Sequence, residues 1–274
     1  MQEIGITDLK KLTNVIYLKY GLDFRDYAIS SFKRRIQRLI DLKNIPNVEL
    51  LISKIEANSF TKDEFLHEIT VNVTEMFRDP SFWRVLKTTI SDISKNQEKI
   101  RIWHAGCSSG EEVYSMVIML KELNLLDRCQ IVASDIDNVI LEKAKLGQVS
   151  NRNMELNCKN YLRYNEDKGD LNNYFTVSNN IAQLDTSLLK NVNFRIVDLV
   201  TATPFSKFDI ILCRNVMIYF NQNLQAKVLK LLHESLFNFS YLCIGTKENI
   251  IWCDIVNKFT IVNNEERIYK KIKE

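Results

Sequence analysis

The chain has 274 residues, of which 46% are hydrophobic and 26% charged, and it contains only seven glycines and three prolines. This composition predicts a folded protein with one large or two smaller cores, and it excludes a disordered, collagen-like or low-complexity chain. Lysine and arginine (37) exceed aspartate and glutamate (34) by three, a balance that argues against wholesale nucleic-acid binding.

Six cysteines are spread over the chain, and no two of them form a CxxC pair. With only three histidines to complete a ligand set, we expect no metal site. Several cysteines lie in apolar runs, where a reduced thiol packs as a small core side chain, so we expect a reducing, cytoplasmic compartment. We expect neither a signal peptide nor insertion into a membrane, because the first residues lack the charge pattern and no apolar run approaches ~18 residues.

The chain up to about residue 95 has apolar residues at helical spacing. One stripe predicts a helix whose buried face comprises Ile29, Phe32, Ile36, Leu39 and Ile40. Thr61 and Glu64 have the spacing of a capping box and predict the start of a later helix. We therefore expect a helical N-terminal domain over residues 1–75 and a linker helix within residues 76–98.

From residue 99 onward, short apolar runs alternate with helical patterns. The predicted strands cover residues 100–105, 130–134, 193–197, 208–213 and 241–244, and the predicted helices cover residues 111–123, 139–146 and 224–236. This alternation predicts an α/β domain over residues 99–274 with a mainly parallel sheet, closed by a hairpin near residues 259–272. The asparagine-rich residues 147–192 fit the alternation poorly, and we interpret them as an insertion or small subdomain.

A strand, a turn of small residues and a helix follow one another over residues 100–123. Gly106 and Gly110 let the backbone turn tightly and approach a ligand closely. Glu111 and Glu112 suit the positive end of the helix dipole, but they would repel an anionic pyrophosphate. A cationic nucleotide such as S-adenosylmethionine (SAM) fits them better. The alternative is a structural glycine turn beside solvated carboxylates.

Polar residues also follow two other predicted strands. Asp135 stands at the carboxyl end of the second strand, where a carboxylate can accept hydrogen bonds from both ribose hydroxyls. Asp137 is better placed to cap the next helix, and capping is the alternative for both aspartates. Arg214, Asn215 and Tyr219 follow a buried strand and are candidate ligand residues, unless the arginine binds local carbonyl groups and the tyrosine packs.

These segments together resemble the chemotaxis receptor methyltransferases, which are SAM-dependent protein-glutamate O-methyltransferases. The resemblance covers nearly the whole chain, and its segments are residues 25–38, 72–78, 105–112, 133–137 and 213–220. It implies a Rossmann-like methyltransferase domain with a small inserted β subdomain at about residues 147–192, preceded by an all-helical N-terminal domain. In some relatives that subdomain grips a peptide at the receptor's C-terminal end.

The resemblance also implies an activity. A methyl group passes from SAM to glutamate carboxylates in the cytoplasmic domains of transmembrane chemotaxis receptors, which leaves S-adenosylhomocysteine and requires no metal. Arg78 and Tyr219 are implied to lie near the transferring methyl group. The expected SAM-binding residues, including Gly106 of the glycine turn, are Asn72, Thr74, Arg78, Gly106, Glu112, Asp135, Asp198, Leu199, Arg214 and Asn215. Asp198 departs from the asparagine of many relatives, and Thr246 and Lys247 depart from a His-Ser pair.

A run of basic residues follows Tyr27 on the predicted second helix. Arg34, Arg35 and Arg38 lie roughly opposite the apolar stripe, and we interpret them as a docking face for an acidic helical substrate. The alternative is a solvated charged face. We expect a monomer. Two other functions are compatible with the sequence: a SAM-binding sensor or scaffold without turnover, and a carboxyl methyltransferase of another acidic protein.

Overall fold

The computed structural model describes residues 4–273 of the chain. It contains two compact units, and the first comprises residues 4–71 together with residues 217–228. The second unit comprises residues 72–216 and 229–273. This division differs from the predicted domain limits at residues 75 and 99, and no local pattern separates residues 217–228 from their neighbours in the sequence. No helix within the described residues is long and apolar enough to cross a membrane.

The first unit is helical, as its apolar spacing predicts. Its residues 4–71 form the helices α1 (Ile6–Tyr20), α2 (Ile29–Leu42), α3 (Val48–Glu56) and α4 (Lys62–Ile69). The predicted capping box begins α4: the Glu64 amide donates to Thr61 Oγ1 at 3.2 Å, and the Thr61 amide donates to Glu64 Oε2 at 2.8 Å. These two bonds satisfy amide groups that the first turn of a helix leaves without partners.

The predicted apolar stripe of α2 is correct except at its first position. Phe32, Ile36, Leu39 and Ile40 are buried in the helical unit, whereas Ile29 is 56% exposed. Ile29 is the first residue of α2 and precedes the first buried turn, so helical spacing alone overestimates the buried face at this end.

Within the part of the chain that the structure describes, the strands of both sheets lie in the second unit. The strands are β1 (Ile100–Ala105), β2 (Cys129–Asp135), β3 (Gln148–Ser150), β4 (Phe175–Ser178), β5 (Ile181–Leu184), β6 (Val192–Ile196), β7 (Phe208–Cys213), β8 (Leu236–Ile244), β9 (Phe259–Asn263) and β10 (Ile268–Lys271). The large sheet has the order β6-β2-β1-β7-β8-β10-β9. Its first five strands are parallel, and the β9–β10 hairpin adds two antiparallel pairings at one edge, β8–β10 and β10–β9.

Five further helices are α5 (Pro80–Ser94), α6 (Glu111–Glu122), α7 (Asn138–Leu146), α8 (Asn151–Tyr164) and α9 (Gln222–Glu234). Helix α6 follows β1 and is buried along most of its length. Phe82 and Trp83 of α5 are fully buried in the core of the α/β unit, so α5 is more than a connection. Strand order reverses between β1 and β7, and in such sheets ligands bind beyond the carboxyl ends of the strands at this point.

The predicted insertion at about residues 147–192 contains a small sheet. Strands β3, β5 and β4 make a separate antiparallel sheet in that order. The sequence does not predict α8, which lies in the same segment. Four asparagines at positions 151, 153, 157 and 160 lower the intrinsic helix propensity of α8, and burial of Met154, Tyr161 and Tyr164 against the core outweighs that preference.

Candidate active site

The turn between β1 and α6 is built around Gly106. Its amide and that of Cys107 both donate to the Ser134 carbonyl oxygen at 2.8 Å, which ties the turn to β2. Gly106 has φ +85°, and a Cβ atom there would lie 2.4 Å from Val216 Cγ2. Only glycine satisfies both the backbone angle and this close approach.

The Glu112 carboxylate, in the first turn of α6, is held by two partners. His104 Nδ1 of β1 lies 2.8 Å from Glu112 Oε1, and Arg214 Nη1 donates to Oε2 at 3.2 Å. Burial raises the pKa of Glu112, but the hydrogen bonds and charges of His104 and Arg214 together outweigh it and leave that pKa below its ordinary value. The carboxylate is therefore ionised and fixed in orientation at neutral pH.

Arg214, which follows β7, joins two carboxylates rather than binding local carbonyl groups. Its Nη2 atom lies 2.7 Å from Asp79 Oδ2, while Nη1 reaches Glu112, and its side chain is 1% exposed. The guanidinium carbon lies 3.8 Å from the centre of the Phe82 ring, a cation–π contact. Glu112 and Asp79 thus share one guanidinium, and their carboxylate oxygens are acceptors suited to a cationic ligand. Sequence reasoning missed Asp79 because it reads simply as the residue before a helix-starting proline.

Asp135 ends β2 beside the glycine turn. Its Oδ2 atom accepts from the Ser108 amide at 2.9 Å, and its Oδ1 atom accepts from the Asp137 amide at 3.1 Å. Burial raises the pKa of Asp135 despite these hydrogen bonds. Asp137 caps α7 as expected, through a 3.2 Å bond from the Ile140 amide. Asn72, a predicted SAM residue, donates to Asp137 Oδ2 at 3.1 Å.

The segment that carries Thr74 and Arg78 is anchored at Met76 by two asparagines of α8. The Met76 amide donates to Asn157 Oδ1 at 3.0 Å, and the Met76 carbonyl accepts from Asn160 Nδ2 at 3.1 Å. The next residue, Phe77, has φ +50°, which is rare for a bulky side chain. Sequence reasoning missed both asparagines, because their contacts with Met76 span more than 80 residues of chain.

Further anchors hold both sides of Arg78. The Phe77 amide donates to Ser115 Oγ of α6 at 2.8 Å, and the Arg78 carbonyl accepts from Trp83 Nε1 at 3.0 Å. Asp79, the residue that pairs with Arg214, has φ +56°. Strained backbone on both sides of one side chain is typical of functional sites, where packing maintains the strain.

Asn215 is held by Glu248, which sequence reasoning did not select. Glu248 Oε2 accepts from the Asn215 amide at 3.1 Å and from the Gly245 amide at 2.6 Å. Asn215 has φ +61°, so this carboxylate stabilises an uncommon backbone conformation. Glu248 is 6% exposed, and it belongs to the segment in which Thr246 and Lys247 depart from the family pattern.

The carboxylate of Asp198 accepts hydrogen bonds from residues of its own turn. Its Oδ1 atom accepts from the Val200 amide and its Oδ2 atom from Thr201 Oγ1, both at 2.9 Å. Leu199 is buried. The side chain of Asp198 thus forms an Asx turn after β6.

The residues of the α/β unit fit SAM. Asp135 presents a carboxylate at a strand end, and Glu112 and Asp79 present two more, which suit a ligand with sulfonium and ammonium groups. Ser108 Oγ and Arg214 Nε are buried and have no hydrogen-bond partner within the described residues. Among residues 4–273, no group of three or more His, Cys, Asp or Glu side chains could hold a metal ion.

The basic residues of α2 differ in their exposure to solvent within the helical unit. Arg34 and Arg38 are exposed and line a surface groove with Lys33 and Asp41. Arg35 is partly buried, which corrects its expected place on the same face. Burial lowers the pKa of Arg35, and the nearby Tyr219 hydroxyl acts in the opposite direction. A helix turns 100° per residue, so a run of basic residues cannot all share one face.

Two family models match consecutive parts of the chain. Residues 7–70 match the family model described as CheR methyltransferase, all-alpha domain, and residues 72–268 match CheR methyltransferase, SAM binding domain. The protein Cher3 of Pseudomonas putida is 36% identical over 264 residues, which cover 96% of each chain. A chemotaxis protein methyltransferase of Listeria innocua is 32% identical over 253 residues, 90% of this chain and 93% of that protein. Among solved structures, the N-methyltransferase NodS of Bradyrhizobium japonicum with S-adenosyl-L-homocysteine covers 80% of this chain and 96% of its own at 12% identity and a TM-score of 0.43.

Fold, site and family model together define a SAM-dependent methyltransferase. The chain belongs to the CheR methyltransferase family, since the two family models together cover most of its length.

Proposed function

We propose that the protein transfers the methyl group of SAM to glutamate side chains in the cytoplasmic domains of chemotaxis receptors, forming glutamate methyl esters. The observation that carries this proposal is the exposed pair Arg34 and Arg38 on α2, which forms a basic surface suited to a glutamate-rich helix. The similarity to a chemotaxis protein methyltransferase of Listeria innocua supports a substrate within the chemotaxis system. We further propose that the protein acts in the cytoplasm, where those receptor domains lie, and that it is a monomer.

The proposed reaction needs no general base. A glutamate side chain has a pKa of about 4.3 and is already ionised at neutral pH. SAM supplies a methyl group bonded to a sulfonium, which makes that methyl electrophilic. The task left to the protein is to hold and partly desolvate the incoming carboxylate in line with the methyl group, and orientation of this kind is worth roughly 7–11 kcal/mol in favourable cases.

Each candidate residue has a separate role in this proposal. Asp135 accepts hydrogen bonds from the ribose hydroxyls, and Glu112 faces the cationic amino-acid end of SAM. Asn72, Thr74, Leu199 and Asn215, with the backbone of Asp198, complete the expected cofactor contacts. Arg78 orients the substrate carboxylate without accepting its proton, and Tyr219 positions that carboxylate or the sulfonium.

Charge reversal on α2 tests the docking step. We expect the double variant Arg34→Glu with Arg38→Glu to raise the apparent KM for receptor about tenfold or more, because it replaces attraction of an acidic helix by repulsion. The Kd for SAM should be unchanged. A matched control is Lys10→Glu with Lys11→Glu, an exposed pair on α1 of the same unit. Equal effects of the two double variants, or a parallel loss of SAM affinity, would contradict docking on α2.

A further inference from the structure

His104 is a buried histidine that the expected SAM contacts do not include. It lies in β1 with 0% exposure, and its Nδ1 atom is 2.8 Å from Glu112 Oε1. Its other ring nitrogen, Nε2, is buried and has no hydrogen-bond partner within the described residues. A buried polar atom without a partner costs free energy, so the imidazole is retained at a cost that an apolar side chain of similar size would avoid.

The contact determines the donor in this hydrogen bond. The ionised carboxylate of Glu112 can only accept a hydrogen bond, so His104 Nδ1 carries a hydrogen and donates it. Arg214 occupies the second oxygen of the same carboxylate at 3.2 Å. Two donors approaching from β1 and from the end of β7 fix the plane of the carboxylate, and each oxygen keeps a lone pair for a further donor.

We propose that His104 is a positioning residue, which holds the Glu112 carboxylate in the orientation that binds the ammonium group of SAM. The inference rests on the proposed role of Glu112 in cofactor binding. A hydrogen bond to an ionised acceptor is stronger than one between neutral groups, which makes His104 a specific determinant of affinity for the amino-acid end of the cofactor.

The test compares three ligands that share the adenosine group. SAM has both cations, S-adenosylhomocysteine keeps the ammonium without the sulfonium, and 5′-methylthioadenosine lacks the amino-acid end. We expect His104→Leu to weaken SAM and S-adenosylhomocysteine about tenfold, and to leave the Kd of 5′-methylthioadenosine unchanged. His104→Asn places an amide N–H near the position of Nδ1 and should restore most of the affinity. His233→Leu, at a buried histidine of α9 that packs on Phe259, is the matched control.

The outcomes separate this inference from the function on which it rests. Equal weakening of all three ligands by His104→Leu would indicate a merely structural role and overturn the proposal. Wild-type affinity of His104→Leu for SAM would overturn it as well, while leaving the cofactor assignment intact. If His104→Leu does not fold, His104→Asn compared with His104→Ser gives the same contrast between a donor that reaches Glu112 and a shorter one that does not. Failure of the wild-type protein to bind SAM would instead overturn the proposed function.

Discussion

Arg214 Nη2 lies 2.7 Å from Asp79 Oδ2, so the residue after β7 is paired with the residue that precedes α5. The arginine side chain is 1% exposed and the aspartate side chain 33% exposed. The same guanidinium also reaches Glu112 on α6. One buried cation thus links three elements around the candidate cofactor site, and its loss should affect folding and binding together.

Replacement of Arg214 by methionine should therefore be strongly destabilising. Methionine keeps much of the apolar stem of the arginine but leaves the Glu112 and Asp79 carboxylates without their shared cation. Removing one partner of a buried ion pair lowers the free energy of unfolding by about 3 kcal/mol. Asp79→Asn removes only the more exposed partner and should cost about 1 kcal/mol. Urea unfolding of both variants measures the difference. A smaller loss for Arg214→Met than for Asp79→Asn would show that the guanidinium does not organise this cluster.

The raised pKa of Asp135 predicts a particular dependence of stability on pH. Because burial raises the pKa of Asp135 in the folded protein above its value in the unfolded chain, folding favours the protonated form. The stabilisation that Asp135 contributes is fully present below its pKa in the unfolded chain, and it is lost as the pH rises through its pKa in the folded protein. The stability of the wild type relative to Asp135→Asn should therefore increase as the pH is lowered from about 7 to about 4, by about 1.4 kcal/mol per unit of raised pKa.

Unfolding free energies of the wild type and Asp135→Asn across that pH range provide the measurement. The difference between the two proteins cancels the titration of groups that they share. At neutral pH the same substitution should weaken SAM binding, because one acceptor oxygen is lost. The prediction is contradicted if the difference in unfolding free energy is constant with pH, or if Asp135→Asn gains stability relative to the wild type on acidification. Either result would show that burial does not raise the pKa of Asp135.

Two glycines with positive φ provide a test of the β1–α6 turn. Gly106→Ala should cost several kcal/mol and abolish SAM binding, because its Cβ would lie 2.4 Å from Val216 Cγ2. Gly21→Ala is the matched control: Gly21 has φ +69° with no atom within 4 Å of the added Cβ, so only the conformational cost of about 1 kcal/mol applies. Adding Val216→Ala should recover part of the stability of Gly106→Ala and none of that of Gly21→Ala. Equal losses of stability in Gly106→Ala and Gly21→Ala would contradict the close approach of Gly106 to Val216.

The asparagine anchors of Met76 predict a link between α8 and the segment that carries Arg78. Asn157→Ala leaves the buried Met76 amide without its acceptor and should cost about 1–3 kcal/mol. It should also speed hydrogen exchange at the Met76 amide and lower kcat, since Arg78 lies two residues away. Asn153→Ala, at an exposed asparagine of the same helix, should change none of these. Unchanged exchange at Met76 in Asn157→Ala would contradict the anchor.

Local patterns in the sequence predict most of the α/β unit. Strands β1 and β7 match their predicted limits, because each is a short apolar run bounded by small or polar residues. The capping box of α4 and the cap at Asp137 are predicted for the same reason: each depends on residues three positions apart. Helix α8 escapes prediction because tertiary packing, rather than its own propensity, makes it a helix.

The residues of the candidate site likewise differ in whether local sequence patterns predict them. Gly106, Glu112, Asp135 and Arg214 are predicted from the sequence because they follow strand ends, where sheet topology brings polar residues together. His104 and Asn157 are not, because each reads as an ordinary interior residue of a strand or helix and acquires meaning only from a distant partner. Arg35 shows the opposite error, since a basic residue in a basic run is taken as exposed until the packing of α2 is known.

Alkali-labile release of methanol tests the central claim most directly. The purified protein is incubated with methyl-labelled SAM and membranes that contain chemoreceptors, and the washed membranes are then treated with alkali. The account predicts labelled methanol, since a glutamate methyl ester hydrolyses under these conditions, and a signal strongly reduced in Arg78→Ala at saturating SAM. Absence of labelled methanol, in a preparation whose SAM binding and intact receptors are confirmed, would contradict the assignment of this methyltransferase to receptor glutamates.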